Sequence, residues 1–246
     1  MKIDNTYFVY NNFLSNIDIN FKRHCDFTYM LEHVSLEFGL QYKKLIENEF
    51  NSNVENYIDL IGINDNVGNP IICDIDGFHI SPSNLRYIYH ALLIKSKIEN
   101  WYNKKDIKII EIGGGYGGLC FYLKNIMKDH KLNYSIIDLP NVTQLQKYYF
   151  NKTDLDIDII SCFDIDKINE NYDLVISNYC ISEIEMNNRL EYLNKLTNKC
   201  SKKFYTWNST SFEGLNLEEY IIEDERPQTN YQNYNKFIYS KTSDNY

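Results

Sequence analysis

A chain of 246 residues with 43% hydrophobic and 24% charged residues is long enough for one large α/β domain and apolar enough for a sizeable core. Its 25 Lys and Arg stand against 34 Asp and Glu, a net charge of −9, and no basic cluster offsets this, which argues against a grip on nucleic-acid backbones. No apolar stretch approaches the roughly 20 residues of a bilayer span, and the start Met1-Lys2-Ile3-Asp4-Asn5 is too polar for a signal peptide, so a cytoplasmic chain is expected.

Residues 1–105 read as a mainly helical N-terminal cap. Phe27, Met30, Leu31, Val34 and Phe38 share one helical stripe, and Leu85, Ile88, Tyr89 and Leu92 share another. Ser81-Pro82-Ser83 supplies a start signal for the second helix, a capping hydroxyl followed by proline in the first turn. On that helix Arg86, Tyr87 and His90 lie on the face opposite Leu85, Ile88 and Leu92, either as solvated surface or as the wall of a cleft.

From residue 106 to 246 the pattern changes to short apolar runs between polar, helix-like segments. The runs fall at 107–112, 134–139, 157–162, 173–177, 203–207, 220–223 and 236–239. Crossover-length segments separate the first five, as in a parallel α/β sheet, and the last two are close enough for an antiparallel pair at the edge. The six cysteines (Cys25, Cys73, Cys120, Cys162, Cys180, Cys200) form no C-x-x-C pair, which reads as reduced thiols rather than a zinc knuckle or a disulfide framework.

Five of the ten glycines sit in Gly113-Gly114-Gly115-Tyr116-Gly117-Gly118, directly after the first run. A strand, a glycine turn and a helix start make a nucleotide-type pocket, where glycine tolerates positive φ and lets a ligand approach the backbone. Gly113, Gly115 and Gly118 match the dinucleotide pattern G-x-G-x-x-G, whereas no Gly-Lys-Ser/Thr follows, which removes the P-loop reading. Glu111 favours S-adenosylmethionine (SAM) over NAD, because a carboxylate there suits a cationic ligand and repels a pyrophosphate. Asp138 ends the second run, 27 residues after Glu111, where an acid can accept both ribose hydroxyls.

Residues 111–118, Ile137-Asp138-Leu139-Pro140 with Gln144 through Tyr149, and Asp173 through Asn178 with Glu183 together resemble the sugar O-methyltransferases, a class I SAM-dependent group. Gly68-Asn69-Pro70 and Ser81 through Tyr87 resemble that family's region before the sheet, and the likeness covers roughly residues 60–210. It implies a Rossmann-like seven-stranded sheet in the order 3-2-1-4-5-7-6 with strand 7 antiparallel. It also implies Glu111, Gly113, Gly115 and Gly117 around the methionine part of SAM, Asp138 on the ribose, Leu139 against the adenine and Asp164 near the exocyclic amine.

The acceptor's place follows from the need to hold an oxygen in line and take its proton. After the fourth run, Asn178 is expected at the cofactor's amino end, Tyr179 at the acceptor, and Glu183 as general base or as a helix-terminal acid. After the fifth, Trp207 and Asn208 offer a ring face and an amide suited to a sugar, with core packing as the plain alternative for Trp207. His90 is a second candidate base, having a pKa near the working pH, and Arg86 a grip for the SAM carboxylate or an acceptor phosphate. No His-plus-carboxylate spacing indicates a metal. Methylation of a small amine or amino sugar, a nicotinamide-dependent oxidoreductase and a non-catalytic SAM-binding subunit stay open at this point.

Overall fold

The computed structural model describes residues 20–24, 28 and 34–242. Helix α1 (Leu36–Phe50) begins at Ser35, whose Oγ accepts the Phe38 N–H at 3.2 Å, and ends at Asn51 in the left-handed region. Val34 precedes that cap, so it does not share one helix with Phe38. The rest of the expected stripe, Phe27, Met30 and Leu31, lies outside the described residues.

After α2 (Ile58–Asp65) comes a hairpin of β1 (Cys73–Ile75) and β2 (Phe78–Ile80) that the helical reading missed. Its turn is Asp76-Gly77, both at positive φ, the Asp-Gly signal that matches the twist of paired strands. Helix α3 (Pro82–Trp101) has proline in its first turn as expected, but Ser81 makes no side-chain cap. Its backbone N–H donates instead to Asp65 at 3.0 Å.

The main sheet contains β3 (Asp106–Ile112), β4 (Lys131–Asp138), β5 (Asp158–Ser161), β6 (Tyr172–Asn178), β7 (Cys200–Trp207), β8 (Tyr220–Asp224) and β9 (Lys236–Ser240). They lie in the order β5-β4-β3-β6-β7-β9-β8. Without the hairpin this is 3-2-1-4-5-7-6. The first five strands are parallel, and β9 runs antiparallel to both β7 and β8. The fold is therefore the Rossmann-like sheet of the class I methyltransferases. Helices α4 (Gly118–Ile126), α5 (Pro140–Thr153) and α7 (Met186–Lys195) join the parallel strands, with the single turn α6 (Cys180–Glu183) just past β6.

Alternation along each strand divides the core between two faces. Ile110, Ile112, Val175, Tyr205 and Trp207 face Tyr192, Leu193 and Ile165. On the other face Ile109, Ile136, Leu174, Phe204 and Phe237 share one cluster with Tyr42, Ile46, Leu85, Ile88 and Leu92 of the preface. Helix α3 runs down this face. Its N-terminal part stands at the carboxyl rim, where His90 meets Phe237, and Lys97 packs over Tyr239 further down. Beyond its last turn, the Tyr102 hydroxyl bonds Asp173 O at the amino edge. The preface is thus a layer of the sheet's own core as well as a rim.

Buried polar bonds join preface and body. Asn64 Oδ1 accepts from Lys22 Nζ at 3.0 Å and from the Tyr149 hydroxyl at 2.7 Å, while its Nδ2 donates to Asn84 Oδ1 at 2.6 Å. Asn84 accepts a further bond from Tyr122 at 2.8 Å and donates to Asp65 at 2.9 Å. Replacing Asn64 by Ala leaves several buried groups unpaired, each costing about 1–3 kcal/mol. Urea denaturation should therefore show a loss of about 3 kcal/mol or more, and a loss below about 1 kcal/mol would mean that these groups find other partners.

Candidate active site

The carboxyl ends of β3, β4 and β6 converge on the glycine loop. Gly113 donates to Ile137 O at 3.0 Å, and Gly117 N closes a turn onto Gly114 O at 3.0 Å. Gly113, Gly115 and Gly117 have φ of 73°, 55° and 105°, so the left-handed backbone expected there is present. The missing Cβ atoms serve the protein's own packing, however. A Cβ at Gly113 would lie 2.2 Å from Cys180 Sγ, and one at Gly117 would lie 2.3 Å from the Phe150 ring.

Asp138 lies at the loop's flank, almost wholly buried. Burial pushes its carboxyl up to about 7, against the Leu139 N–H, Gln146 and the Gly115 and Gly114 amides, which favour the charged form. Gln146 Nε2 donates both to Asp138 Oδ2 at 2.9 Å and to Gly115 O at 2.8 Å. Two acceptors on one side fix the orientation of this amide. Its Oε1 is then a buried acceptor with no partner. A buried carboxyl group beside an amide oxygen without a partner suits a pair of vicinal hydroxyls, and Gln146 is a candidate site residue that the sequence pattern does not single out within a longer matching stretch. Leu139, half-buried, caps α5 next to them.

Glu111 requires a correction. It is buried beneath the loop, where a Cβ on Gly114 would come within 3.2 Å of its Oε2, and it accepts the Tyr134 hydroxyl at 2.9 Å. Burial, opposed by that bond, pushes its pKa up to about 8, so it is mostly protonated at neutral pH. The argument from its negative charge therefore does not hold. Asp164, on the turn after β5, is half-buried and paired with Lys167 at 2.6 Å.

At the end of β6, Asn178 Oδ1 accepts from Thr206 Oγ1 at 2.7 Å, and its Nδ2 lies 3.1 Å from His90 Nδ1. Tyr179 has φ 62° and ψ −40°, a sparsely populated conformation for a side-chain-bearing residue that points to function. Its hydroxyl donates to Glu225 in a short bond. Glu225, also buried, accepts from Thr229 N–H and Oγ1 and from Asn235 Nδ2. Sequence pattern gave no sign of Glu225, which follows the sixth run among ordinary loop acids.

The face of α3 bearing Arg86 and His90 is not solvated. The two residues are 5% and 1% exposed, with His90 edge-on to Tyr42 and to Phe237. Burial, then Arg86, push His90 down to about 3. It is neutral at working pH and too weakly basic for the role expected of it. Because Asn178 presents an N–H, His90 Nδ1 is the acceptor and Nε2 carries the proton. That Nε2 is buried without a partner.

Trp207 also needs correcting. It is 0% exposed, with Arg189 over its ring at 5.1 Å, Phe212 stacked at 6.1 Å and its Nε1 donating to Ser211 O at 3.1 Å. Its face is not available to a sugar. Asn208 stays at the rim and donates to Glu183 in a short bond. Glu183 stands on the exposed edge with its carboxyl turned against neighbouring groups, and that partial burial raises its pKa against the Asn208 bond.

Among the described residues no His, Cys, Asp or Glu group could hold a metal ion, and no helix is long and apolar enough to cross a membrane. A groove of about 680 Å³ does lie at the opposite, amino edge of the sheet. Its charges are matched as Lys104–Asp173, Lys108–Glu170 and Lys131–Asp106, so its size is no sign of chemistry.

No family profile matches this chain, and no curated protein matches it. Solved structures do. The plantazolicin methyltransferase BpumL with S-adenosylhomocysteine (SAH) is 16% identical, with 69% of this chain and 59% of that one covered at a TM-score of 0.42. TrmK of M. capricolum with SAH is 19% identical, covering 61% and 68% at 0.43. An O-methyltransferase family protein from Burkholderia thailandensis is 11% identical, covering 66% and 59% at 0.44. The chain thus spans less than two thirds of the length of two of these. Likeness of this degree decides nothing about activity, and the fold rests on the strand order above.

Glu111 also sets a pH dependence. Its folded pKa of about 8 exceeds the ordinary 4.5, so between these values the folded chain binds more protons than the unfolded chain and stability falls as pH rises. Glu111→Gln should flatten that part of the curve in urea titrations at pH 5 and pH 8.5. Parallel curves for the two proteins would mean that Glu111 is ionised in the fold.

Proposed function

We propose that the chain is a SAM-dependent methyltransferase that modifies a hydroxyl of a sugar or sugar conjugate. The observation that carries the cofactor reading is the pairing of Asp138 with the unpartnered Gln146 Oε1 beside a left-handed glycine loop. The residues fit the group: a carboxylate and an amide oxygen for the ribose diol, loop amides for the methionine end, and Leu139 for the adenine. Asp164, now paired with Lys167, would have to change partner to reach the exocyclic amine. SAM, when bound, supplies an electrophilic methyl group.

The chain's own residues then hold the acceptor and handle its proton. The end of β6 and the start of α3 meet at the carboxyl rim, so Asn178, Tyr179, Arg86 and His90 border the space next to the loop. His90 acts by fixing the Asn178 amide and offering Nε2–H, not by taking a proton. The buried Tyr42 hydroxyl lies beside Tyr179 at the same rim. Such groups favour a polyhydroxylated acceptor, since a ligand that leaves buried donors unpaired is penalised. Domain-wise, residues 1–105 supply this wall and residues 106–246 the cofactor half. Glu183, with its raised pKa and its tie to Asn208, is the base in this reading.

Calorimetry should show SAH binding and no NADH binding. Asp138→Ala should weaken SAH about ten- to a hundredfold, the equivalent of a lost charged hydrogen bond of about 1.5–3 kcal/mol, and Gly115→Val should abolish it. Binding of NADH in place of SAH would sink the cofactor assignment. For the acceptor, Glu183→Gln should lower methyl transfer to a panel of sugar nucleotides far more than it lowers the melting temperature, and transfer to amines alone would redirect the assignment to N-methylation.

A further inference from the structure

Before α1, the short turn Phe21–Arg23 packs against Tyr116 of the glycine loop. Phe21 and Lys22 are fully buried. The Lys22 N–H donates to Gly68 O at 2.9 Å, and Arg23 donates to Asn69 O at 3.1 Å and Pro70 O at 3.3 Å. Gly68 has a φ of +85°, and a Cβ there would strike the Phe21 ring at 2.7 Å. The seat of this strap is therefore shaped for it.

The strap's side chains end on Tyr116. Lys22 Nζ lies 4.6 Å above the Tyr116 ring and 5.7 Å from that of Tyr149, while it donates to Asn64 O at 2.7 Å. Phe21 packs against the same Tyr116 ring at 5.7 Å, and Tyr149 packs against it edge-on at 4.8 Å. Tyr116 sits between Gly115 and Gly117, both at positive φ. Between these two glycines the buried Tyr116 side chain anchors this half of the loop, together with the Gln146 bond to Gly115 O. A desolvated ammonium over its face holds the ring electrostatically as well as by packing.

We infer that Lys22 is a positioning residue for the cofactor site, and that docking of the strap and cofactor binding reinforce each other through Tyr116. This rests on the cofactor reading above. A loop already fixed by the strap loses less freedom when a ligand binds, and by linkage the ligand must then tighten the strap by the same factor.

The test uses the full chain and SAH as probe. Calorimetry well below the melting temperature should find SAH binding about tenfold weaker in Lys22→Met, within the five- to 150-fold range usual for coupled sites. In the wild-type chain, hydrogen–deuterium exchange of residues 20–24 should slow when SAH is added. The exchange measurement needs no variant, so it decides the matter even if Lys22→Met fails to fold. If SAH binds the wild type but leaves exchange of the strap unchanged, or if Lys22→Met melts lower yet binds SAH at wild-type affinity, the coupling is refuted and Lys22 is structural only. A wild-type chain that does not bind SAH overturns the cofactor reading, and the inference with it.

Discussion

One side-chain amide holds the molecule's parts in register. Asn64 sits where an N-terminal turn, the preface helices and the two helices that flank the glycine loop come together, and its oxygen accepts from residues 42 positions before it in one case and 85 positions after it in another. Water is excluded there, so each of these groups has to find its partner within the protein. The aromatic packing around Tyr116 and Tyr149 supplies area but little direction. The amide supplies direction, and it fixes how the preface meets the loop.

The sheet was readable because its signals are local and repeated. Short apolar runs separated by crossover lengths are hard to arrange otherwise, and five clustered glycines mark the loop on their own. The carboxyl-edge position of Asp138 follows from the same pattern. What could not be read was burial of polar groups. Arg86 and His90 carry the residue types of a solvated face, and packing that brings Tyr42 and Phe237 against His90 makes it an inner one. Trp207 failed for the converse reason: a ring at a strand end can face either way, and Arg189 and Phe212 happen to cover it.

Glutamates show the same limit. Glu225 is indistinguishable from a surface acid in a chain with 34 acidic residues, and Glu111, marked by its place before the loop, gives no sign of its burial, yet both are buried. Their surroundings part them. Glu111 has one phenol as donor and is held well above the usual carboxylate range, whereas Glu225 receives donors on both oxygens. Number and kind of donors around a buried acid are encoded by no linear spacing.

The position of Lys22 has a consequence for how the chain is made. Its ammonium rests against rings supplied by Tyr116 and Tyr149, and the second of these is synthesised 127 residues later. At about 5–20 residues per second, that is a delay of roughly 6 to 25 seconds. Throughout that interval the Lys22 ammonium lacks the Tyr149 ring that later completes its surroundings. The Phe21–Arg23 turn can therefore complete its packing only after the helix that carries Tyr149 has been made.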